Sequence, residues 1–471
     1  MLFNKSILNG KSPQMNLNTD WATKEPIISQ FTIEGLFGYK SITLDFSEAI
    51  KIVTAENGTG KTTLLNALYW SLTGQLFRLQ TIHFDQIHIQ FQSGEKIDLV
   101  KKDISSIYQS DKESSQGTRI RRWGLTEAEL SLLMETYIAF GDGEIFTSCE
   151  PYIKLYQESP WDYDEIRDRV HSLAEQYIDK ESFIGIRKQI DNALRETEIL
   201  YLPTYRRIEA SLGTEKIKKA EGSRDRLIYF GLSDVEETLN EITAGIKTSA
   251  LAAYTKINAT ILDNLVATGE SNSSAPQAID SIDTEAMKMV LARIGKNDTD
   301  PTVRKIDALI QNGQINDAKY YHLQYFLSEL TNSSKLQAAQ EDNINKFISV
   351  VNGYWNITSA EKEFIYDKYK VEVFVLNRLS ESRIPLQVLS SGEKQIVSIF
   401  SRLYFSKAKS YFVIIDEPEL SLSIDWQRLF LPNVVASPKC NALLAITHSP
   451  FIFENDLDKF ASSLKIDRWP S

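Results

Sequence analysis

The chain has 471 residues, 42% of them hydrophobic and 24% charged, which is enough for a large buried core in two or three domains. A net charge of −11 and a pI near 5.2 argue against a protein that coats nucleic acid through bulk charge, while leaving room for a local basic groove. Two distant cysteines, Cys149 and Cys440, five scattered histidines, no signal-peptide core and no apolar run near the ~18 residues of a membrane span point to a cytoplasmic protein without a zinc site or a membrane segment.

Residues 1–26 are polar and aperiodic and read as a poorly ordered arm, in which Met15 offers a second start. Strand patterning begins at Ile27. Residues 31–37 and 41–46 alternate apolar and polar about Gly38-Tyr39-Lys40, and residues 86–91 and 96–100 flank Ser93-Gly94-Glu95, so two hairpins are expected. Between them the run Ile50-Lys51-Ile52-Val53 leads into Ala55-Glu56-Asn57-Gly58-Thr59-Gly60-Lys61-Thr62-Thr63, and a helical run follows from Leu64. Strand, glycine loop and helix in that order form a phosphate cradle. Successive loop N–H groups make a concave nest, and the helix N-terminus adds partial positive charge. Lys61 would reach the β- and γ-phosphates of ATP, and Thr62 would put its hydroxyl on Mg2+. The pattern G-x-x-x-x-G-K-[ST] has Ala55 in its first position here, so the backbone there must suit a residue with a Cβ. Residues 27–125 are read as the first lobe of a nucleotide-binding head, an antiparallel patch around a P-loop core.

The cluster Arg119-Ile120-Arg121-Arg122-Trp123 could meet nucleic-acid phosphates, although a solvated strand face is the commoner meaning of such a run. Helical period dominates residues 126–194, for example at Ile166, Val170, Leu173, Ala174, Tyr177 and Ile178. Residues 198–208 look extended. A buried strand there would deliver Arg206 and Arg207 to an edge, toward a phosphate, a neighbouring subunit's carboxylate or a nucleic-acid strand, unless they simply pair with Glu209. Residues 215–226 read as a solvated loop, 235–265 as a long amphipathic helix, 269–276 as a linker, and 283–354 as helices broken near Pro301. This insertion, residues 126–355, is mainly helical and carries no sustained heptads or fixed repeat, so no long coiled-coil arm is expected.

Residues 356–471 carry the second half of the chemistry. Expected strands at 364–366 and 369–375 precede Leu389-Ser390-Ser391-Gly392-Glu393-Lys394-Gln395, which opens an apolar-periodic helix. Serine hydroxyls, Gly392 and Glu393 at a helix start make either an anion site or a helix cap. The unbroken apolar run at 411–415 suits a buried parallel strand, and two carboxylates stand at its C-terminal end, where α/β sheets bind ligands. Asp416 would hold the Mg2+ shell and Glu417 would polarise the attacking water. A further strand at 442–447 ends in His448, which could sense the γ-phosphate.

These pieces in this order resemble the ABC-type ATPase heads of the SMC, RecF and OLD families. Walker A falls at 55–63, the signature at 389–395, Walker B at 412–417, the D-loop at 420–425 and the switch histidine at 448. The resemblance departs at Ala55 and at Ser391, where the signature usually has Gly, and it offers only Gln90 and Gln92 for the Q-loop. It implies an α/β head with a mixed sheet and an antiparallel patch, split by a large helical insertion. It also implies that Ser390, Ser391, Gly392 and Glu393 serve a nucleotide bound by another head, so that ATP joins heads into a homo-oligomer and a lone head hydrolyses slowly.

The wording of residues 202–209, 389–398 and 416–427 is similar to stand-alone ATPases of bacterial anti-phage systems, the AriA kind of PARIS and the PtuA kind of Septu. That likeness implies a phage-derived trigger. With the chain ending at Ser471, it also implies an effector nuclease of Toprim or HNH type on a separate chain. The rival expectation is a DNA-repair head that lines one groove with Arg119, Arg121, Arg122, Arg206 and Arg207. A transporter subunit is disfavoured, because the stretch between Thr63 and Leu389 exceeds a whole domain of ordinary size.

Overall fold

Unbroken apolar strands need cover on both faces. The two most apolar ones, β10 (Ser410–Asp416) and β11 (Cys440–Thr447), accordingly lie at the centre of a sheet. Of this chain, a computed structural model describes residues 24–56, 58–108, 122–203, 232–267, 284–293, 300–358 and 361–469. The central pair is flanked by β3 (Ile50–Thr54), β12 (Ala461–Ser463) and β6 (Thr197–Leu202) in the order β12-β3-β11-β10-β6. Every pairing is parallel, with Ile414 opposite both Leu444 and Tyr201, and Ala445 opposite Ile52. Thr54, Asp416 and Thr447 therefore all end at the same edge of the sheet. The expected buried strand after Glu198 is β6, at the sheet's border.

The two expected hairpins form a second, antiparallel sheet. It contains β1 (Ile28–Leu36), β2 (Lys40–Asp45), β4 (Gln86–Phe91) and β5 (Lys96–Val100), and is extended by β13 (Lys465–Arg468) on β2. Period-two patterning places Phe31, Ile33, Ile42, Ile87, Ile89 and Leu99 in one core with Leu64, Leu68 and Leu72 of the helix Lys61–Thr73. Helices Glu127–Phe140, Tyr163–Tyr177 and Lys180–Leu194 add Leu133, Ile166, Val170 and Phe183 to that same core. Side chains fix their starts: Thr126 and Glu129 form a reciprocal capping box, and Asp162 and Asp179 cap the other two.

The chain divides into two compact units, Met1–Tyr229 with Lys407–Ser471, and Phe230–Ser406. The mainly helical stretch expected at 126–355 thus contributes to both. The second unit holds helices Leu232–Ala267 and Tyr321–Thr358, of 36 and 38 residues, with the shorter Thr284–Arg293 and Pro301–Gln311 between them. Asp300 caps the helix that starts at Pro301, at the expected break. A three-stranded sheet of β7 (Lys362–Asp367), β8 (Glu372–Asn377) and β9 (Ser382–Ile384) belongs to the same unit. So does the helix Ser391–Phe405, whose Phe400 lies 6.0 Å from Tyr354. The expected arm up to residue 23, the loop at 215–226 and the linker at 269–276 lie outside the described residues. No described helix is long and apolar enough to cross a membrane.

Candidate functional site

The loop after β3 turns where its glycines allow. Gly58 has φ 78° and Gly60 φ 98°, both in the left-handed region that costs an L-residue energy. A Cβ on Gly60 would also lie 3.1 Å from the Phe37 ring. Ala55 is outside the left-handed positions, so its Cβ carries no backbone strain. The Thr59 hydroxyl donates to Glu56 O at 2.9 Å, and Lys40 Nζ to Thr59 O at 3.4 Å. Gly60 caps the helix Lys61–Thr73 without a side-chain acceptor, and no acidic residue occupies the first turn. The positive end of that helix dipole is left unneutralised by its own sequence, which favours an anion there. Asn57 lies outside the described residues; Thr63 is half-buried in the first turn.

Lys61 is 7% exposed and points at the ends of the neighbouring strands. Its Nζ donates to Glu417 Oε1 at 2.5 Å and to Ala55 O at 3.4 Å, and meets His448 Nε2. His448 Nε2 is 3.1 Å from the same Glu417 oxygen. One residue on, Thr62 Oγ1 donates to Asp416 Oδ2 at 2.9 Å. Thr62, Asp416, Glu417 and His448, expected at one site from three separate motifs, therefore meet around Lys61. A hydroxyl beside a carboxylate is a hard-oxygen pair, which fits Mg2+.

Glu417 sits at φ 53°, a strained position for a residue with a Cβ, and its N–H is held by Ile446 O at 2.9 Å. Burial, then the neighbouring Glu419 carboxyl, push the Glu417 carboxyl up to about 7, against the pull of Lys61. A carboxylate poised near neutrality suits proton abstraction from water. Glu419 received no role from the sequence. It is buried, and its two oxygens accept from Thr447 Oγ1 at 2.7 Å, His448 N at 2.8 Å and Ser449 N at 3.2 Å. Nothing in the pattern Glu-Pro-Glu distinguishes it from an exposed turn carboxylate.

The signature lies in the second unit. Ser390 is exposed and caps the helix Ser391–Phe405; its hydroxyl accepts from Glu393 N at 3.4 Å, which leaves the O–H as a donor. Glu393 closes a capping box by accepting from Ser390 N at 2.7 Å, and both its oxygens take Lys362 Nζ at 2.9 Å. Glu393 is thus engaged as cap and ion-pair partner, the local alternative the sequence left open. Gly392 is buried and Ser391 half-buried beside it. Lys362, at the start of β7, was not anticipated.

The D-loop is tied to the histidine turn through Gln427, which donates to Leu422 O at 3.0 Å and accepts from Ser449 Oγ at 2.6 Å. Gln90 lies in β4 and Gln92 in the following turn, and among the described residues neither bonds to the Walker cluster. Arg122 is exposed, whereas Arg119, Arg121, Arg206 and Arg207 lie outside the described residues.

A parallel sheet with a glycine loop, buried lysine, Thr–Asp pair and strand-end glutamate, joined to an antiparallel patch, defines an ABC-type P-loop ATPase. A family model for the AAA ATPase domain, AAA_15, matches residues 27–453. The chain belongs to that family. Curated proteins give no match. Among solved structures it is similar to an Smc head bound to the C-winged helix domain of ScpA, at 10% identity and TM-score 0.33 over 94% of this chain and 98% of that one. A second similar structure is an Smc head domain with an extended coiled coil bound to the C-terminal domain of ScpA derived from Pyrococcus furiosus, at 10% identity and TM-score 0.33 over 94% and 96%.

Proposed function

We propose that this ATPase is the sensor and scaffold of a bacterial anti-phage defence system, which oligomerises through ATP and controls a separate effector nuclease. The observation that carries its ATP chemistry is the meeting of Lys61, Thr62, Asp416, Glu417 and His448 at one sheet edge. In this reading the loop from Ala55 through Glu56, Asn57, Gly58, Thr59 and Gly60 to Lys61 and Thr63 holds the triphosphate, and Thr62 and Asp416 hold Mg2+, which neutralises phosphate charge. Glu417 polarises the attacking water, His448 reads the γ-phosphate, and Ser390, with Ser391 and Gly392, meets the nucleotide of a second head. Turnover is slow unless heads meet.

The defence role rests on the likeness of residues 202–209, 389–398 and 416–427 to the AriA and PtuA kinds of ATPase. A phage-derived trigger acts by binding one state of the assembly more tightly than the other. The deciding experiment is affinity purification of the chain co-expressed with its genomic neighbours, with and without ATP. A large complex containing a Toprim or HNH nuclease supports the reading. A monomer that dimerises only with ATP and DNA overturns it in favour of a DNA-repair head.

A further inference from the structure

Three strands bring reactive side chains to one edge, but a strand end does not by itself aim the residue that follows it. Past Thr447 the chain leaves β11, and His448 has no ladder partner to orient it. Its side chain is 31% exposed, so packing alone does not fix it either. Glu419 supplies what is missing. It comes from the turn after β10, yet its carboxylate accepts the His448 and Ser449 N–H groups and the Thr447 hydroxyl.

We propose that Glu419 is a positioning residue for ATP hydrolysis, holding the His448 turn against the Glu417 turn so that both side chains face Lys61 together. This rests on the nucleotide site described under "Proposed function" and deepens it. The carboxylate is the right group for the task. Two successive backbone N–H groups and a hydroxyl present three donors and need an acceptor-only partner, and Glu419 is 9% exposed, so water is a poor substitute. Thr447 is itself fully buried, and its oxygen also accepts from Ser449 N at 3.0 Å, so the turn is braced from both sides. The contact spans 29 residues between Glu419 and His448, joining two turns that no strand pairing connects beyond Asp416 and Ile446.

Two variants separate positioning from mere support of the fold. In Glu419→Gln the amide oxygen keeps both N–H groups and the amide nitrogen can donate to Thr447 Oγ1, whereas Glu419→Ala loses all three contacts. The expected result is that Glu419→Ala lowers kcat roughly 10²-fold, the cost of a small misplacement of a reacting group. ATP affinity stays within about twofold, since Glu419 makes none of the phosphate contacts. Glu419→Gln recovers most of the turnover.

The second measurement needs no hydrolysis. The nucleotide-free protein is labelled with 15N-histidine, and the His448 ring signal, assigned among five histidines by its loss in His448→Ala, is compared across variants. Movement or broadening of that signal in Glu419→Ala and its return in Glu419→Gln support the proposal. An unchanged signal in Glu419→Ala overturns it, as does a kcat equal to the wild type. A wild-type chain that turns over no ATP would instead break the reading of the site beneath it, and the ring signal would still decide the role of Glu419.

Discussion

Thr62 donates its hydroxyl to Asp416 at 2.9 Å across 354 residues of sequence. One partner begins the helix after the phosphate loop and the other ends β10, so the contact reports directly on how the two halves of the ATPase motif close. Asp416→Asn removes the anionic oxygen set. Wild-type protein should melt higher with ATP plus Mg2+ than with ATP plus EDTA, by a shift equivalent to about 2.7 kcal/mol when free Mg2+ is about a hundred times its Kd for the ATP-bound protein. In the variant the difference between the two conditions should vanish.

Lys61→Ala should weaken ATP binding about 10- to 100-fold, the range expected for losing charge-assisted bonds to phosphate. Isothermal titration with ATP reads this directly. Unchanged affinity would mean that the glycine loop is not the phosphate site.

Glu417→Gln keeps the size of the side chain and removes its basicity. Turnover should fall about 10²- to 10⁴-fold while ATP affinity changes little. Single-turnover hydrolysis beside equilibrium binding separates the two effects.

The same residue predicts a pH dependence of stability. Its carboxyl is raised from 4.5 to about 7, so between those values the folded state binds more protons than the unfolded one. Stability from this group is then complete below about 4.5 and is lost as pH rises toward about 7. Melting curves without nucleotide or metal, recorded from pH 5 to 8, should show a smaller decline in Glu417→Gln than in the wild type.

Gly60→Ala should destabilise the first unit by about 1–2 kcal/mol, because an alanine must adopt a left-handed φ there. The crowding against Phe37 adds to that cost. Chemical denaturation measures it. Ala55→Gly, at a position with ordinary φ, should leave phosphate binding intact.

Local grammar makes much of this molecule legible. Period-two alternation located both hairpins, helical period marked residues 126–194, and the strand–glycine–helix order located the loop around Lys61. What local grammar could not supply was partnership at long range. β13 was not among the expected strands and takes its place only from its register on β2. Glu419 and Lys362 are ordinary carboxylate and ammonium groups until folding sets them against Thr447 and Glu393. Glu393 showed the reverse: its role as cap was written locally, in a serine three residues upstream.

The strand order β12-β3-β11-β10-β6 has a further consequence, for synthesis on the ribosome. β3 and β6 are made early, but each finds its sheet neighbours only among strands that begin at Ser410 or later. At about 5–20 residues per second, the roughly 200 residues between β6 and β10 take about ten to forty seconds to emerge. During that interval β3 and β6 are apolar strands with open edges on both sides, the kind of nascent surface that aggregates or recruits chaperones. Yield of the folded ATPase should therefore depend on holdase supply more steeply than its size alone would suggest.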